Sequence, residues 1–175
     1  MKWVETVSGF DRLVLKKINY HFDRRLLNLF FRTVTYLGGA DVTIALTFVL
    51  MVLSTGDAKL TAITSGLSLA ASHIPVHLAK EYFPRKRPYL MVEGTKCPAN
   101  PLSDHSFPSG HTTAIFSVIT PYVLSNPILF IYLFPLAISV GLSRIYMGLH
   151  YPTDVIAGGL LGAATGALSF SILCT

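Results

Sequence analysis

Residues 105–143 read HSFPSGHTTAIFSVITPYVLSNPILFIYLFPLAISVGLS, 39 positions without one Lys, Arg, Asp or Glu. Ser125-Asn126-Pro127 breaks this run near its middle, so it divides into two apolar helices joined by a turn. Each half approaches the roughly 20 residues that cross a hydrocarbon core of about 30 Å. Three further windows, 42–56, 60–79 and 155–175, are equally free of charge, and the four together hold 95 of the 175 residues. The chain is 51% hydrophobic and 13% charged, about half the charge of an ordinary soluble domain. The expected fold is therefore all-α: a polytopic transmembrane helical bundle of about five spans, one membrane-embedded domain over 1–175 with no separate soluble domain.

The punctuation between the windows sets the boundaries. Residues 1–25 interleave Trp3, Val4, Val7, Phe10, Leu13, Val14 and Ile18 with Lys2, Arg12, Lys16 and Lys17, the pattern of an amphipathic helix lying in the interface. They lack the uninterrupted apolar core of a removable signal peptide. A first span is expected from about Thr33 or Gly39 to Leu53, a second from Lys59 to Tyr82, and a long polar loop over 83–107. The third begins at Ser109, the fourth ends near Tyr146, and the fifth starts at Tyr151-Pro152. Gly158, Gly162 and Gly166 recur every four residues on the fifth, a small-residue stripe that lets membrane helices approach closely. It reads as packing within one chain, with a dimer interface as the alternative. Cys97 and Cys174 are expected at opposite ends of the bundle and suggest no disulfide framework.

Alternating span direction brings the unusual polar residues together. The second span ends, the third starts, the fourth ends and the fifth starts on one face. There stand Lys80 and Arg87, then Ser109, Gly110 and His111, then Ser143 and Arg144, then His150 and Asp154. Two arginines and a lysine in one place repel one another unless an anion lies between them, and the guanidinium fork suits phosphate oxygens. Ser109, Gly110 and His111 open a helix after Pro108, adding backbone N–H groups and the positive end of a helix dipole. His150 and Asp154, four apart, share a helix face. An aspartate on one imidazole nitrogen frees the other to attack, and His111 is placed to protonate a leaving oxygen. His105, His111, His150, Asp104 and Asp154 are too crowded by cations to suit a divalent metal. The net charge of +5 fits anionic lipid headgroups or a phosphorylated substrate, not nucleic acid.

Three motifs here resemble the signatures of the type 2 phosphatidic acid phosphatase family. They are Lys80-Glu81-Tyr82-Phe83-Pro84-Arg85-Lys86-Arg87-Pro88, Pro108-Ser109-Gly110-His111, and Ser143-Arg144 followed by His150 and Asp154. All three are complete, in order and correctly spaced over 80–154. The resemblance implies an integral-membrane, metal-independent phosphatase without cofactor. His150 would form a phosphohistidine, Asp154 would orient it, and His111 would act as acid, while Lys80, Arg87, Ser109, Gly110 and Arg144 would hold phosphate. The implied substrates are phosphatidate, phosphatidylglycerophosphate and undecaprenyl pyrophosphate, entering sideways from the bilayer. His73, His77, His105 and Asp104 have no assigned catalytic role.

Thirteen of the 14 Lys and Arg residues fall on the face expected to carry the site, and Lys59 alone on the other. The positive-inside rule thus turns the site toward the cytoplasm of a bacterial plasma membrane, whereas many relatives in the resembled family face outward. Two other function classes use the same cations. A transporter would place ionisable groups near the bilayer midplane, where the second to fifth spans carry no Asp, Glu, Lys or Arg. A non-catalytic phospholipid-binding protein would not need His111, His150 and Asp154 together.

Overall fold

The computed structural model describes residues 2–174 and the side chains of 9–174; Lys2, Trp3, Val4 and Val7, assigned above to the amphipathic face, lie outside the described side chains. Among the described residues every regular element is helical. The order is α1 (Lys2–Asn19), α2 (Arg25–Val34), a 3₁₀ turn (Thr35–Gly38), α3 (Ala40–Leu53), α4 (Gly56–Tyr82) and the short α5 (Pro88–Met91). Then come α6 (Gly110–Ser125), a 3₁₀ turn (Pro127–Leu129), α7 (Phe130–Tyr146) and α8 (Pro152–Leu173). Local chemistry sets most ends. α4 stops two residues before Pro84, which disfavours helix in the residue ahead of it. Pro152 occupies the first turn of α8, where its missing N–H costs nothing. Gly148 ends the α7 turn at φ +66°, with Lys96 O only 2.5 Å from where a Cβ would lie.

α6 is the central helix. It packs chiefly on α8 and α4, with α7 on another side, while α3 leans on α4 and α2 on α7. The inner surfaces are small and partly polar. Ser65 of α4 donates to Val118 O of α6 at 2.9 Å, and Thr61, Thr64, Ser68 and Ser72 are buried on the same stripe. The glycine stripe of α8 faces α6 within the chain: a Cβ on Gly162 would come 2.3 Å from Thr113 O. Large apolar side chains point outward, Ile172 (77% exposed), Leu160 and Ile131 among them, as expected when the surrounding solvent is hydrocarbon.

By length and composition, Pro127–Tyr146 and Pro152–Leu173 can each cross a membrane; Arg25–Gly38 with Ala40–Leu53, bent by 57°, makes a third if that pair is one span. α6 has only 16 residues, and the hydroxyl stripe lowers the apolar character of α4. α1 is shorter than the 1–25 expected and is not simply laid on a surface. Leu15 and Asp11 are fully buried, and Asn19 Nδ2 donates to Lys96 O at 2.8 Å and Tyr146 O at 2.7 Å.

Candidate active site

The four helix ends expected to converge do so, and hydrogen bonds fasten them. Ser109 N, opening α6, donates to Asp154 O in the first turn of α8 at 3.0 Å; Ser106 N donates to Arg85 O at 2.8 Å. His150 follows the turn closing α7, its N–H bonded to Arg144 O at 3.2 Å. A cavity of about 330 Å³ opens at this end, lined in part by Lys80, Arg87, Gly110, His111 and His150. Ser109, Arg144 and Asp154 are buried behind its wall. The N–H groups of Gly110, His111 and Thr112 precede the first intrahelical bond, which Thr113 makes to Ser109 O.

Arg87 is 1% exposed and ties the site together. Nε donates to Asp104 O at 2.8 Å, Nη2 to Asp104 Oδ1 at 2.5 Å, and Nη1 to Leu149 O at 2.9 Å and His150 Nε2 at 3.1 Å. A guanidinium only donates, so Nε2 must accept, and the proton of neutral His150 resides on Nδ1. Nδ1 faces Asp154 Oδ2 at 3.8 Å, in range for electrostatic attraction and beyond hydrogen-bond length. Oδ2 is already occupied, accepting from Tyr151 N at 2.8 Å and Ser106 Oγ at 2.5 Å. Burial, with Arg144 and Arg87 adding like charge against the pull of Asp154, pushes His150 down to about 4. The ring is thus neutral near pH 7, with Nε2 as a base.

Arg144 Nη1 donates to Thr35 Oγ1 at 2.9 Å, while its Nε and Nη2 are buried without a hydrogen-bond partner. Orphaned buried guanidinium donors are costly unless a ligand completes them. Lys80 pairs with Asp104 Oδ2 and also donates to His105 O at 3.3 Å. Partial burial opposes the charge of Asp104, yet hydrogen bonds from Lys80 and Arg87 hold its carboxyl at about 2. An internal carboxylate therefore lies against two of the three cations assigned to phosphate. His73 Nδ1 lies 2.8 Å from Leu69 O and its ring lines the cavity, whereas His77 is exposed and pairs with Glu81 at 3.3 Å. Among the described residues no group of three His, Cys, Asp or Glu side chains is arranged to hold a metal ion.

Three participants escaped the sequence reading: Asp11, Arg85 and Ser106. Arg85 reaches Asp154 Oδ1 and Asp11 Oδ2, each at 2.6 Å. Burial works against its charge, but Asp154 and Asp11 raise its pKa above the ordinary value. Asp11 had a legible signal, a carboxylate in the apolar stripe formed with Val14, Leu15 and Ile18 at i+3, i+4 and i+7.

The family model described as PAP2 superfamily matches residues 61–174, which take in all three motifs and every one of these converging ends. The chain belongs to the PAP2 superfamily. An undecaprenyl-diphosphatase of Sulfolobus acidocaldarius is 30% identical over 168 residues, 95% of this chain and 80% of that protein. The crystal structure of Aquifex aeolicus LpxE superposes with a TM-score of 0.79 at 30% identity, covering 90% of this chain and 93% of the other. The Bacillus subtilis transmembrane PAP2-type phosphatidylglycerolphosphate phosphatase shares the fold, with a TM-score of 0.77 at 24% identity over 95% of this chain and 86% of that one. This PAP2 chain is an integral membrane protein of a phosphatase family, and the Sulfolobus and Bacillus relatives are named for action on undecaprenyl diphosphate and phosphatidylglycerolphosphate.

Proposed function

We propose that this PAP2 protein hydrolyses the terminal phosphate of a membrane lipid through a phosphohistidine on His150. The observation that carries this reading is the environment of the imidazole: Nε2 held as a base by Arg87, with unsatisfied donors of Arg144 buried in the same site. The scissile phosphoryl group would lie among Lys80, Arg87, Arg144 and the first N–H groups of α6, with Ser109 beside them. Arg87 Nη1 transfers its hydrogen bond from His150 Nε2 to a phosphate oxygen. The freed Nε2 lone pair attacks phosphorus, forming a P–N bond as the P–O bond to the leaving group breaks and His111 gives that oxygen a proton. Water then attacks phosphorus, His111 takes its proton, and phosphate and free His150 result. Asp154 stabilises the imidazolium-like charge that develops. The cations of the protein supply the charge stabilisation, so turnover is expected to persist in excess chelator.

We read α4 and α6 as crossing with the bent α2–α3 pair, α7 and α8, which gives five spans. A second groove of about 440 Å³ between α3 and α4 meets the cavity at His73. Ile44, Phe48, Met51 and Leu69 line it, apolar walls suited to the first carbons of a lipid tail. The likeness to the Sulfolobus diphosphatase makes undecaprenyl diphosphate the first substrate to test, beside phosphatidylglycerophosphate and phosphatidate. Phosphate release from the three, measured with purified protein in nanodiscs, tests both substrate and mechanism. His150→Ala is expected to abolish turnover, and Asp154→Asn to slow it at least a hundredfold with the fold intact. Retained turnover in His150→Ala would remove the nucleophile, and loss of activity restored only by a divalent ion would reject the metal-free route.

A further inference from the structure

We infer that Asp11, on α1 and far outside the three motifs, is a positioning residue for the Asp154–His150 pair, acting through Arg85. Asp11 is fully buried, and its carboxylate has three partners: Thr153 N at 3.0 Å, Thr153 Oγ1 at 2.6 Å and Arg85 Nη2 at 2.6 Å. Arg85 sends its other arm, Nη1, to Asp154 Oδ1 at 2.6 Å and Thr153 Oγ1 at 2.8 Å, and its guanidinium lies 4.0 Å above the Tyr151 ring. One guanidinium is thus shared between two carboxylates. An arginine beside a single buried aspartate tends to engage both carboxylate oxygens in parallel, fork against fork. That arrangement would draw Asp154 Oδ2 away from His150. Asp11 occupies Nη2 and leaves Arg85 one arm for Asp154, directed at Oδ1, so that Oδ2 keeps facing Nδ1. Asp11 also neutralises Arg85, so the charge of Asp154 stays available to the imidazole. The catalytic centre therefore extends to the N-terminal helix.

This inference rests on His150 being the nucleophile, and the test separates the two. Asp11→Asn keeps the side-chain shape and removes the charge. With the fastest lipid of the nanodisc panel, it is expected to lower kcat about 10- to 100-fold, the usual cost of losing the partner that orients a functional side chain, with KM within about twofold. In an Asp154→Asn background the same change is expected to alter kcat by less than about twofold, because its route of action is already gone. Full kcat in Asp11→Asn, a loss confined to KM, or a penalty undiminished in the Asp154→Asn background would each overturn the role of Asp11. If Asp11→Asn does not fold, Arg85→Lys, which cannot bridge both carboxylates, is judged by the same criteria. A dead His150→Ala with full-speed Asp11→Asn removes only this inference, whereas an active His150→Ala removes the reading on which it rests.

Discussion

Asp104 stands where an anion belongs. Its carboxylate bridges Lys80 and Arg87 while half exposed, so a phosphoryl group entering the cavity competes with a counter-ion the protein carries itself. Removing that charge without changing the shape is expected to free both cations. Asp104→Asn should tighten competitive inhibition by inorganic phosphate about fivefold, on the order of 1 kcal/mol for so exposed a pair. Unchanged or weaker inhibition would show that the carboxylate does not compete. At this scale, legibility followed sequence spacing, although His150 lies in the bend before α8 and shares no helix with Asp154. His150 and Asp154 stand four apart, and the motif cations were readable from their spacing. The Arg85–Asp11 pair joins residues 74 positions apart, and Arg85 stands between motif cations that masked it. The 3.8 Å separation of His150 and Asp154 could not be read either, because Tyr151 N–H and Ser106 fill Oδ2.

Helix boundaries were readable because proline, glycine and charge gather at the ends of these elements, and α7 ends and α8 starts at the expected positions. What packs against what depended on small residues. The α8 glycines meet α6 so closely that a methyl group on Gly162 would collide with backbone at Thr113 and lie 3.0 Å from Ser117 N. Backbone cannot rotate aside, so α8 itself must shift. Gly162→Ala is expected to cost about 1–3 kcal/mol, seen as a lower thermal midpoint in detergent. Gly9→Ala, which meets nothing within 4 Å, should lower it not at all. Equal midpoints would mean that the α6–α8 contact tolerates expansion. α4 was expected as a full span from its charge-free window, but that its buried stripe is Thr and Ser and that its pairing with α6 uses hydroxyls was not legible.

For the whole molecule, the docking of α1 through Asn19 and Asp11 places Arg12, Lys16 and Lys17 at the same end as the cavity. With the loop cations, they form one positive face, and by the positive-inside rule we propose that it lies in the cytoplasm. A cysteine at Glu93, exposed at that end, introduced after replacing Cys97 and Cys174, is expected to resist a membrane-impermeant thiol reagent in intact cells and to react after permeabilisation. Ready labelling in intact cells would reverse the orientation. The shortness of α6 bears on the bilayer as well. Its 16 residues rise about 24 Å, whereas α4, which packs against it, has 27 and rises about 40 Å, and the proposed phosphate site is at the N-terminus of α6. Enclosed by longer helices, a short central helix meets no lipid of its own and leaves a recess within the bundle. A lipid phosphate would reach His150 by descending into that recess, so the protein, and not a deformed bilayer, would set how far a headgroup must leave the membrane surface.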